Sequence, residues 1–399
     1  MMSMRMLAVI LGTVGTLLVL ALMGDAASAA NRQPAGEPIV VGHYASMTGA
    51  TATFGISADE GARLAIDEIN SRGGVLGRPL KLVTEDTQSR TEETGTAVQK
   101  LINQDRVVAL IGEIASSRSI VGGKIAQRAR VPMLSPGSTN PKVTEIGNYV
   151  FRACFIDPFQ GTAMANFAMK SDKGPKAKRF AVLYDVKNDY SLGLREFFVA
   201  SVKDNGGEIV ADESYAEGDI DFKAQLTKIK AVNPEAIWIP GYYTDVGLIA
   251  KQARELGINA VLLGGDGWDS DKTAEIGREA IDGAYFSNHY ASDDETPEVK
   301  RFIDSYKAKY AGKLPDAMAI LGYDAMLVLA DAMTRAGSID RRAIRDALAE
   351  TKDFPGASGR LTIDKNRNAQ KSLVVLKIES KVVEGKVQQA FKYVATVNP

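Results

Sequence analysis

Two loops in the first half of the chain combine residue types that can bind an anion. Ser116 follows the apolar run 107–112 and opens a predicted helix, so its hydroxyl and the free N–H groups of that helix could hold a carboxylate. The second loop, 135–141, contains Gly137, which would let a ligand approach a main-chain N–H closely. The alternatives are that Ser116 only caps its helix and that the second segment is an ordinary loop.

The second half of the chain offers the opposite charge. Asp266 lies between Gly265 and Gly267, directly after the apolar run 261–264. A carboxylate there could bind an ammonium group through a charge-assisted hydrogen bond. Tyr190 and Tyr242 follow two other predicted strands and could wall a small ligand. A turn aspartate that bonds its own backbone and two surface tyrosines are the alternatives. An anion site facing a carboxylate would form a receptor for a zwitterion.

Composition and the absence of motifs argue against catalysis and against nucleic acid as a partner. Lys+Arg is 48 and Asp+Glu is 49, so the net charge of -1 requires no polyanion. Cys154 is the single cysteine, and the two histidines, His43 and His289, are far apart, so we expect no disulfide and no metal. P-loop, dinucleotide-binding and nucleophile-elbow motifs are missing. We therefore expect a binding protein without a cofactor rather than an enzyme.

Alternating strands and helices must position these loops. The predicted strands of the first half are 39–44, 80–84, 107–112 and 131–135, and the helices between them are 59–70, 91–103 and 116–130. A similar alternation begins after residue 152, and three helices within 298–349 and two strands, 372–379 and 388–397, follow. Such βαβ order is typical of a parallel sheet that binds ligands at the carboxyl ends of its strands. The predicted fold class is α/β, with two doubly wound parallel-sheet domains facing each other across a cleft.

Residues 1–30 have the composition of a signal peptide. Arg5 precedes the apolar run 6–23, and Ala27-Ser28-Ala29 places small residues where a signal peptidase cuts. A membrane anchor is the alternative, because the run is at the low edge of spanning length. We expect cleavage near Ala29 or Ala30 and a soluble periplasmic protein. No other stretch is expected to be long and apolar enough to span a bilayer.

A set of motifs covering nearly the whole chain after this leader resembles the branched-chain amino-acid type of periplasmic solute-binding protein. These are the leucine/isoleucine/valine-binding proteins of ABC transporters, which have the type I periplasmic-binding-protein fold. The motifs are Ser46-Met47-Thr48-Gly49, Phe54-Gly55, residues 61–70 and 73–77, Ile111-Gly112, Ser116-Ser117, residues 135–141, Phe151-Arg152, Asp157, Gln160-Gly161 and Gly241-Tyr242-Tyr243. Each motif is weak alone, whereas the combination is specific.

The resemblance implies a role for matching residues. Ser116, the Gly137 backbone and Thr139 would bind an α-carboxylate. Asp266 would bind the α-ammonium, where close leucine-binding relatives carry Glu, so the shorter side chain leaves the position or identity of the ligand open. Tyr190 and Tyr242 would close over the ligand, and Phe54 and Met318 would line the side-chain pocket. The relatives' disulfide near Ser116 is absent, because Ala115 stands in place of a cysteine.

The resemblance also implies discontinuous lobes and a transport role. The first lobe would be 37–157 plus 289–358, and the second 158–288 plus 359–399, joined by three hinge crossings. A bound amino acid would bridge both lobes and favour closure. The expected partner is the membrane permease of an ABC transporter, on a separate chain, and the protein is expected to be a monomer. The alternatives are an amide, urea, an aromatic or other organic acid as ligand, a sensor that feeds a receptor, and a secreted α/β enzyme.

Overall fold

The computed structural model describes residues 34–383 and 386–399, so the predicted leader lies outside the described residues. The chain forms two α/β lobes, each built on its own sheet.

The first lobe contains a parallel sheet of five strands. Its strands are β1 (Ile39–Ala45), β2 (Leu80–Asp86), β3 (Ala109–Ile111), β4 (Met133–Ser135) and β5 (Val150–Arg152), and the helices between them are α1 (Ala52–Ser71), α2 (Thr91–Asn103), α3 (Ser116–Ala129) and α4 (Lys142–Glu145). The spatial order is β2-β1-β3-β4-β5. Because the order reverses between β1 and β3, the loops after these two strands border a crevice at the carboxyl edge.

The chain then builds most of the second lobe. Its strands here are β6 (Arg179–Asp185), β7 (Glu208–Tyr215), β8 (Ala236–Trp238), β9 (Val261–Gly264) and β10 (Tyr285–Asn288), and its helices are α5 (Asp157–Lys170), α6 (Asp189–Asp204), α7 (Lys223–Ala231), α8 (Tyr243–Glu255) and α9 (Asp271–Gly277). The order β10-β9-β8-β6-β7 reverses between β8 and β6. Tyr242 lies in the loop after β8, and Tyr190 lies in the first turn of α6 after β6, which places the predicted aromatic walls at the switch point of the second sheet.

The next segment returns to the first lobe. It comprises α10 (Pro297–Lys309), α11 (Ala317–Ala336) and α12 (Arg341–Ala349), followed by a small sheet of β11 (Phe354–Gly356), β12 (Gly359–Ile363) and β13 (Ala369–Gln370). Leu361, Ile363 and Ala369 pack in the core of the first lobe. The expected second lobe includes this part of the chain from residue 359 onward, and we propose instead that the last crossing lies near Lys371.

The last two strands complete the second sheet. They are β14 (Leu373–Val383) and β15 (Lys386–Val397), and they extend the sheet to seven strands in the order β15-β14-β10-β9-β8-β6-β7. β14 is antiparallel to β10 and β15 is antiparallel to β14, so only this edge departs from the parallel pattern. The chain thus passes between the lobes three times, and the predicted α/β fold with two doubly wound domains is confirmed.

Helix α11 corrects one expectation from the sequence. By length and composition it could cross a membrane, but 83% of its apolar window is buried inside the protein. Its main contact is α1, and the two helices approach closely at glycines. A Cβ on Gly61 would lie 1.8 Å from Ala319 O, and one on Gly322 would lie 2.2 Å from Ala58 O. Helix α11 is therefore a core helix, whose first turn carries Met318.

Candidate ligand-binding site

Ser116 lies at the start of α3, one residue later than a capping position. The N-cap is Ala115, whose side chain makes no capping hydrogen bond, so the alternative that Ser116 only caps this helix is wrong. The Ser116 hydroxyl oxygen instead accepts a hydrogen bond from Asn140 N at 3.2 Å. Ser116 is 1% exposed, and this buried hydrogen bond connects the start of α3 to the neighbouring loop.

The neighbouring loop, 135–141, is held by hydrogen bonds from Arg152. The buried guanidinium donates to Ser138 O at 2.6 Å and to Asn140 O at 2.7 Å. Thr139 lies between these two anchors, and its buried Oγ1 has no hydrogen-bond partner among the described residues. Gly137 is also buried, and a Cβ there would lie 3.0 Å from Ile114 Cδ1. The loop is thus anchored on both sides of Thr139, whose hydroxyl lies beside the Asp157 carboxyl and lowers the pKa of that group.

Asp266 begins a short 3₁₀ turn after β9 in the second lobe and is 3% exposed. Its Oδ1 accepts from the Tyr190 hydroxyl at 3.0 Å, and its Oδ2 lies 3.0 Å from His289 Nε2. Its backbone N–H donates to Gln160 Oε1 at 2.9 Å. Among the described residues, His289 is the only basic side chain within ion-pair distance of this carboxylate. The Asp266 carboxylate is therefore held by Tyr190 and His289, and it has no Lys or Arg partner among the described residues.

The glycines on both sides of Asp266 allow this close packing. A Cβ on Gly265 would lie 2.4 Å from the Tyr190 hydroxyl oxygen, and one on Gly267 would lie 2.9 Å from Gly241 O. Burial raises the pKa of Tyr190 well above its usual value, and the charge of Asp266 acts in the same direction. Tyr190 consequently stays protonated and donates to Asp266.

Aromatic side chains connect the two lobes beside Asp266. The Tyr242 and Tyr190 rings stack with centroids 5.2 Å apart, and Phe54 from the first lobe meets Tyr242 edge-on at 5.4 Å. Met318, which is 1% exposed, belongs to the same apolar cluster, together with Ile114 and Leu321. This cluster thus contains residues of both lobes, including Met318 and Leu321 on α11.

Asp157 is a second buried carboxyl group at this interface. It opens α5, and its backbone N–H donates to Thr139 O at 3.0 Å. Burial raises the pKa of Asp157 to about 8; the neighbouring Thr139 hydroxyl lowers this pKa, and the charge of Asp266 raises it. Its Oδ2 has no hydrogen-bond partner among the described residues. The Asp157 carboxyl is therefore protonated at neutral pH.

Polar contacts hold the two lobes together. The Ser117 hydroxyl donates to Asp189 Oδ2 and accepts from Asp189 N, both at 3.0 Å, and Asn140 Nδ2 donates to Asp189 O at 2.6 Å. On the other side, Thr53 N donates to the Tyr243 hydroxyl at 3.2 Å, and Thr53 Oγ1 lies 3.1 Å from Ser270 Oγ. The loops of both lobes therefore meet, and the cleft is in a closed arrangement.

The structure brings every predicted site residue to this one interface. Ser116, Gly137, Thr139, Phe54 and Met318 lie on the first-lobe side, and Tyr190, Tyr242 and Asp266 lie on the second-lobe side. The roles of Gln160, His289, Asp157 and Arg152 in holding the site were not predicted. Gln160, Asp157 and Arg152 stand in the motifs that carry the family resemblance, so a signal existed for them, whereas His289 stands in none of those motifs.

Two facing α/β lobes with polar loops at their switch points define a ligand-binding protein of the two-lobed type. The family model described as periplasmic binding protein matches residues 38–382. The chain therefore belongs to the periplasmic binding protein family. The fold is the type I form of that family, as the sequence motifs predicted.

Similar proteins identify the branched-chain amino-acid type within this family. The Leu/Ile/Val-binding protein BraC3 of Rhizobium johnstonii is 32% identical over 328 residues, covering 81% of this chain and 87% of that protein. The leucine binding protein LivK of Thermotoga maritima has a TM-score of 0.84 and 42% identity, covering 90% of this chain and 99% of that chain. LivJ of Streptococcus pneumoniae, solved with isoleucine, has a TM-score of 0.81 and 33% identity, covering 90% and 100%. The chain is thus a solute-binding protein of the type that serves branched-chain amino-acid ABC transporters.

Proposed function

We propose that this protein binds a small neutral amino acid, of branched-chain size, in the cleft between its lobes. The observation that carries the proposal is the pairing of free polar groups across a closed interface. On one side, Thr139 has a buried hydroxyl without a partner among the described residues. On the other, Asp266 is a buried carboxylate without a Lys or Arg partner there.

The charges favour a zwitterion. An α-carboxylate would receive hydrogen bonds from Ser116, Thr139 and the Gly137 backbone, and an α-ammonium would be neutralised by Asp266. Charge-assisted hydrogen bonds of this kind are roughly twice as strong as neutral ones. Asp157 would add a second carboxyl oxygen on the ammonium side. A ligand lacking either charged group would leave buried polar atoms unpaired, which is costly.

The surroundings favour an aliphatic side chain. Phe54, Met318, Ile114 and Leu321 are at most 6% exposed and belong to the apolar cluster that also contains Tyr190 and Tyr242. A leucine-sized side chain gains about 1.5–3 kcal/mol when it is fully buried, which such a cluster can supply. The ligands named for the relatives, leucine and isoleucine, support the same size class.

Ligand binding would act through the hinge. A ligand that contacts both lobes favours the closed arrangement, and a membrane permease on a separate chain would read that closed form. We propose that residues 1–30 are a leader removed near Ala30, so that the mature protein is released into the periplasm. Mass spectrometry of the protein from its native envelope tests this, and an intact Met1 would contradict it.

The decisive experiment titrates the purified protein, by calorimetry, with leucine and with two truncated analogues. One analogue is the deaminated acid and the other is the decarboxylated amine. We expect leucine to bind and each analogue to bind at least tenfold more weakly, because each loses its hydrogen bonds to one charged group.

Other outcomes would overturn the proposal. Tighter binding of the deaminated acid would identify an organic-acid receptor. Binding of leucinamide or urea, without binding of any aliphatic amino acid, would identify an amide receptor. Valine, isoleucine and phenylalanine extend the series and test the apolar cluster separately from the two charged ends.

A further inference from the structure

His289 follows β10 directly and occupies the second crossing between the lobes. It is 2% exposed, and its Nε2 lies 3.0 Å from Asp266 Oδ2. Its ring stacks on Phe155, with centroids 3.9 Å apart and planes 18° apart. Phe155 lies on the first crossing, between β5 and α5. His289 therefore connects the carboxylate in the cleft to two of the three chain crossings.

The hydrogen-bond partners of His289 determine its charge. A carboxylate oxygen only accepts hydrogen bonds, so Nε2 must carry the hydrogen and donate it to Asp266. The other nitrogen, Nδ1, is buried and has no partner among the described residues. Protonating Nδ1 would bury an N–H without an acceptor, which is unfavourable. Burial lowers the pKa of His289, and the hydrogen bond and charge of Asp266 only partly oppose this.

We propose that His289 is a positioning residue: it fixes the Asp266 carboxylate for the ligand ammonium and, by staying neutral, leaves the negative charge of Asp266 uncompensated. The inference rests on the function proposed above and names a residue that selects amines over acids. A lysine or arginine in this position would hold Asp266 equally well but would cancel the charge that a zwitterion needs.

Several other charged or titratable groups surround this pair. Lys371, on the third crossing, lowers the pKa of His289 further by its positive charge. Asp157 and Asp269 face Asp266, and burial raises the pKa of each, to about 8 and about 6 respectively. Tyr190 donates to the other oxygen of Asp266. Among these groups, His289 is the donor whose protonation at acid pH would add a positive charge beside Asp266.

The first test uses two variants that differ in one donor. His289→Leu removes the N–H, and His289→Gln replaces it with an uncharged amide N–H at a similar reach. Both are titrated with leucine and with its deaminated acid. We expect His289→Leu to bind leucine about tenfold more weakly, as for one lost hydrogen bond to a charged group, while binding of the acid is unchanged or stronger. His289→Gln should restore leucine binding to within about threefold.

The chain supplies a matched control in the first lobe. His43 is also buried and also contacts a carboxylate, with Nδ1 3.1 Å from Asp59 Oδ1. His43→Leu should lower the melting temperature without changing the ratio of leucine affinity to acid affinity. Only His289→Leu should change this ratio.

The second test needs no substitution. As pH falls through the lowered pKa of His289, the imidazole becomes positive and neutralises Asp266, so leucine affinity should fall. This fall in leucine affinity at low pH should be smaller in His289→Gln, because glutamine cannot be protonated. If His289→Leu does not fold, this comparison of wild type with His289→Gln decides.

The outcomes separate the two proposals. Suppose that the wild type binds leucine. If His289→Leu then loses affinity equally for leucine and the acid, or loses none for either, the role of His289 is overturned while the proposed function stands. The role of His289 is also overturned if leucine affinity falls as much at low pH in His289→Gln as in the wild type. A wild type that binds no aliphatic amino acid overturns the proposed function, and the role of His289 fails with it.

Discussion

Each lobe contains a buried histidine–aspartate pair, and the two pairs differ in what else contacts the carboxylate. In the first lobe, Asp59 contacts His43, and it also accepts hydrogen bonds from Arg63 Nε at 2.5 Å and Thr84 Oγ1 at 2.5 Å. In the second lobe, Asp266 contacts His289 and Tyr190 but has no Lys or Arg partner among the described residues. The first carboxylate is thus balanced by a permanent cation within the protein, and the second is not.

The presence or absence of a balancing cation within the protein distinguishes a structural carboxylate from one that can bind a ligand. Burial alone would raise the pKa of Asp59, but the contacts with His43, Arg63 and Thr84 outweigh it and hold that pKa below its ordinary value. Asp59 therefore needs no further partner. Asp266 lies at the closed interface with its charge uncompensated, which suits a group that receives a cation from a ligand.

The largest expected effect comes from Asp266→Asn, which keeps the size of the side chain and deletes its charge. Removing one partner of a buried charge pair typically costs about 2–5 kcal/mol, so leucine affinity should fall roughly thirtyfold to several thousandfold. Binding of the deaminated acid should be unchanged or stronger, because a repulsive charge is removed. Calorimetric titration measures both affinities. A leucine affinity within twofold of wild type would show that Asp266 does not bind the ligand ammonium.

The matched substitution in the first lobe, Asp59→Asn, should act on stability instead of affinity. It leaves His43 and the half-exposed Arg63 without their shared carboxylate, which we expect to lower the free energy of unfolding by on the order of 2 kcal/mol. Chemical denaturation measures this value, and leucine affinity should stay within twofold. A large loss of affinity with unaltered stability would contradict the assignment of Asp59 as structural.

The pH dependence of the first-lobe pair follows from the direction of the Asp59 shift. Because the pKa of Asp59 is lowered in the folded state, its contribution to stability is complete above its unfolded pKa of about 4. The contribution is lost as pH falls through the folded pKa. Below about pH 4, wild type should therefore lose its stability advantage over Asp59→Asn, as parallel denaturation series would measure.

Asp157 extends the comparison to a carboxyl group that is neutral before the ligand arrives. Because the pKa of Asp157 is raised to about 8, a ligand ammonium nearby should favour its ionised form and release up to about one proton at pH 7. Calorimetry in buffers of different ionisation enthalpy measures this release. The deaminated acid should release none, and equal release by both ligands would place the titrating group elsewhere.

The smallest expected effect concerns the contacts that close the cleft. Ser117→Ala removes both hydrogen bonds to Asp189 but leaves the site residues unchanged. Leucine affinity should fall roughly twofold to tenfold, as for one or two partly exposed hydrogen bonds. Small-angle scattering of the unliganded variant should show a more open average shape. An effect as large as that of Asp266→Asn would mean that Ser117 contacts the ligand itself.

Local sequence patterns predicted the strand ends that carry the candidate site, because apolar runs and the glycines around Asp266 are local signals. They did not predict what holds those residues. Arg152 supports the 135–141 loop through backbone carbonyls, and Gln160 supports Asp266 across a separation of 106 residues. Such contacts depend on tertiary packing, which no spacing in the sequence encodes.

The same limit explains the errors. Ser116 has the residue type of a helix cap, but the N-cap is Ala115, and Ser116 Oγ accepts a hydrogen bond from the neighbouring loop instead. The segment 359–370 contains strands, and our proposal that they belong to the first lobe rests on packing alone. The two histidines are far apart in sequence and gave no indication that each contacts a carboxylate.

Helix α11 has a consequence for how the protein reaches its compartment. A chain that crosses a membrane unfolded presents every segment to lipid, and a segment as apolar as Ala317–Ala336 could halt there as a stop-transfer sequence. Asp324 lies near the middle of this segment, and an aspartate at the centre of a spanning helix opposes insertion by about 2.5–3.5 kcal/mol. In the folded protein the same carboxylate accepts hydrogen bonds from Ala357 N and Ser358 N. The same side chain would thus favour complete translocation of the chain that we propose is exported, and in the folded protein it anchors the turn between β11 and β12 on α11.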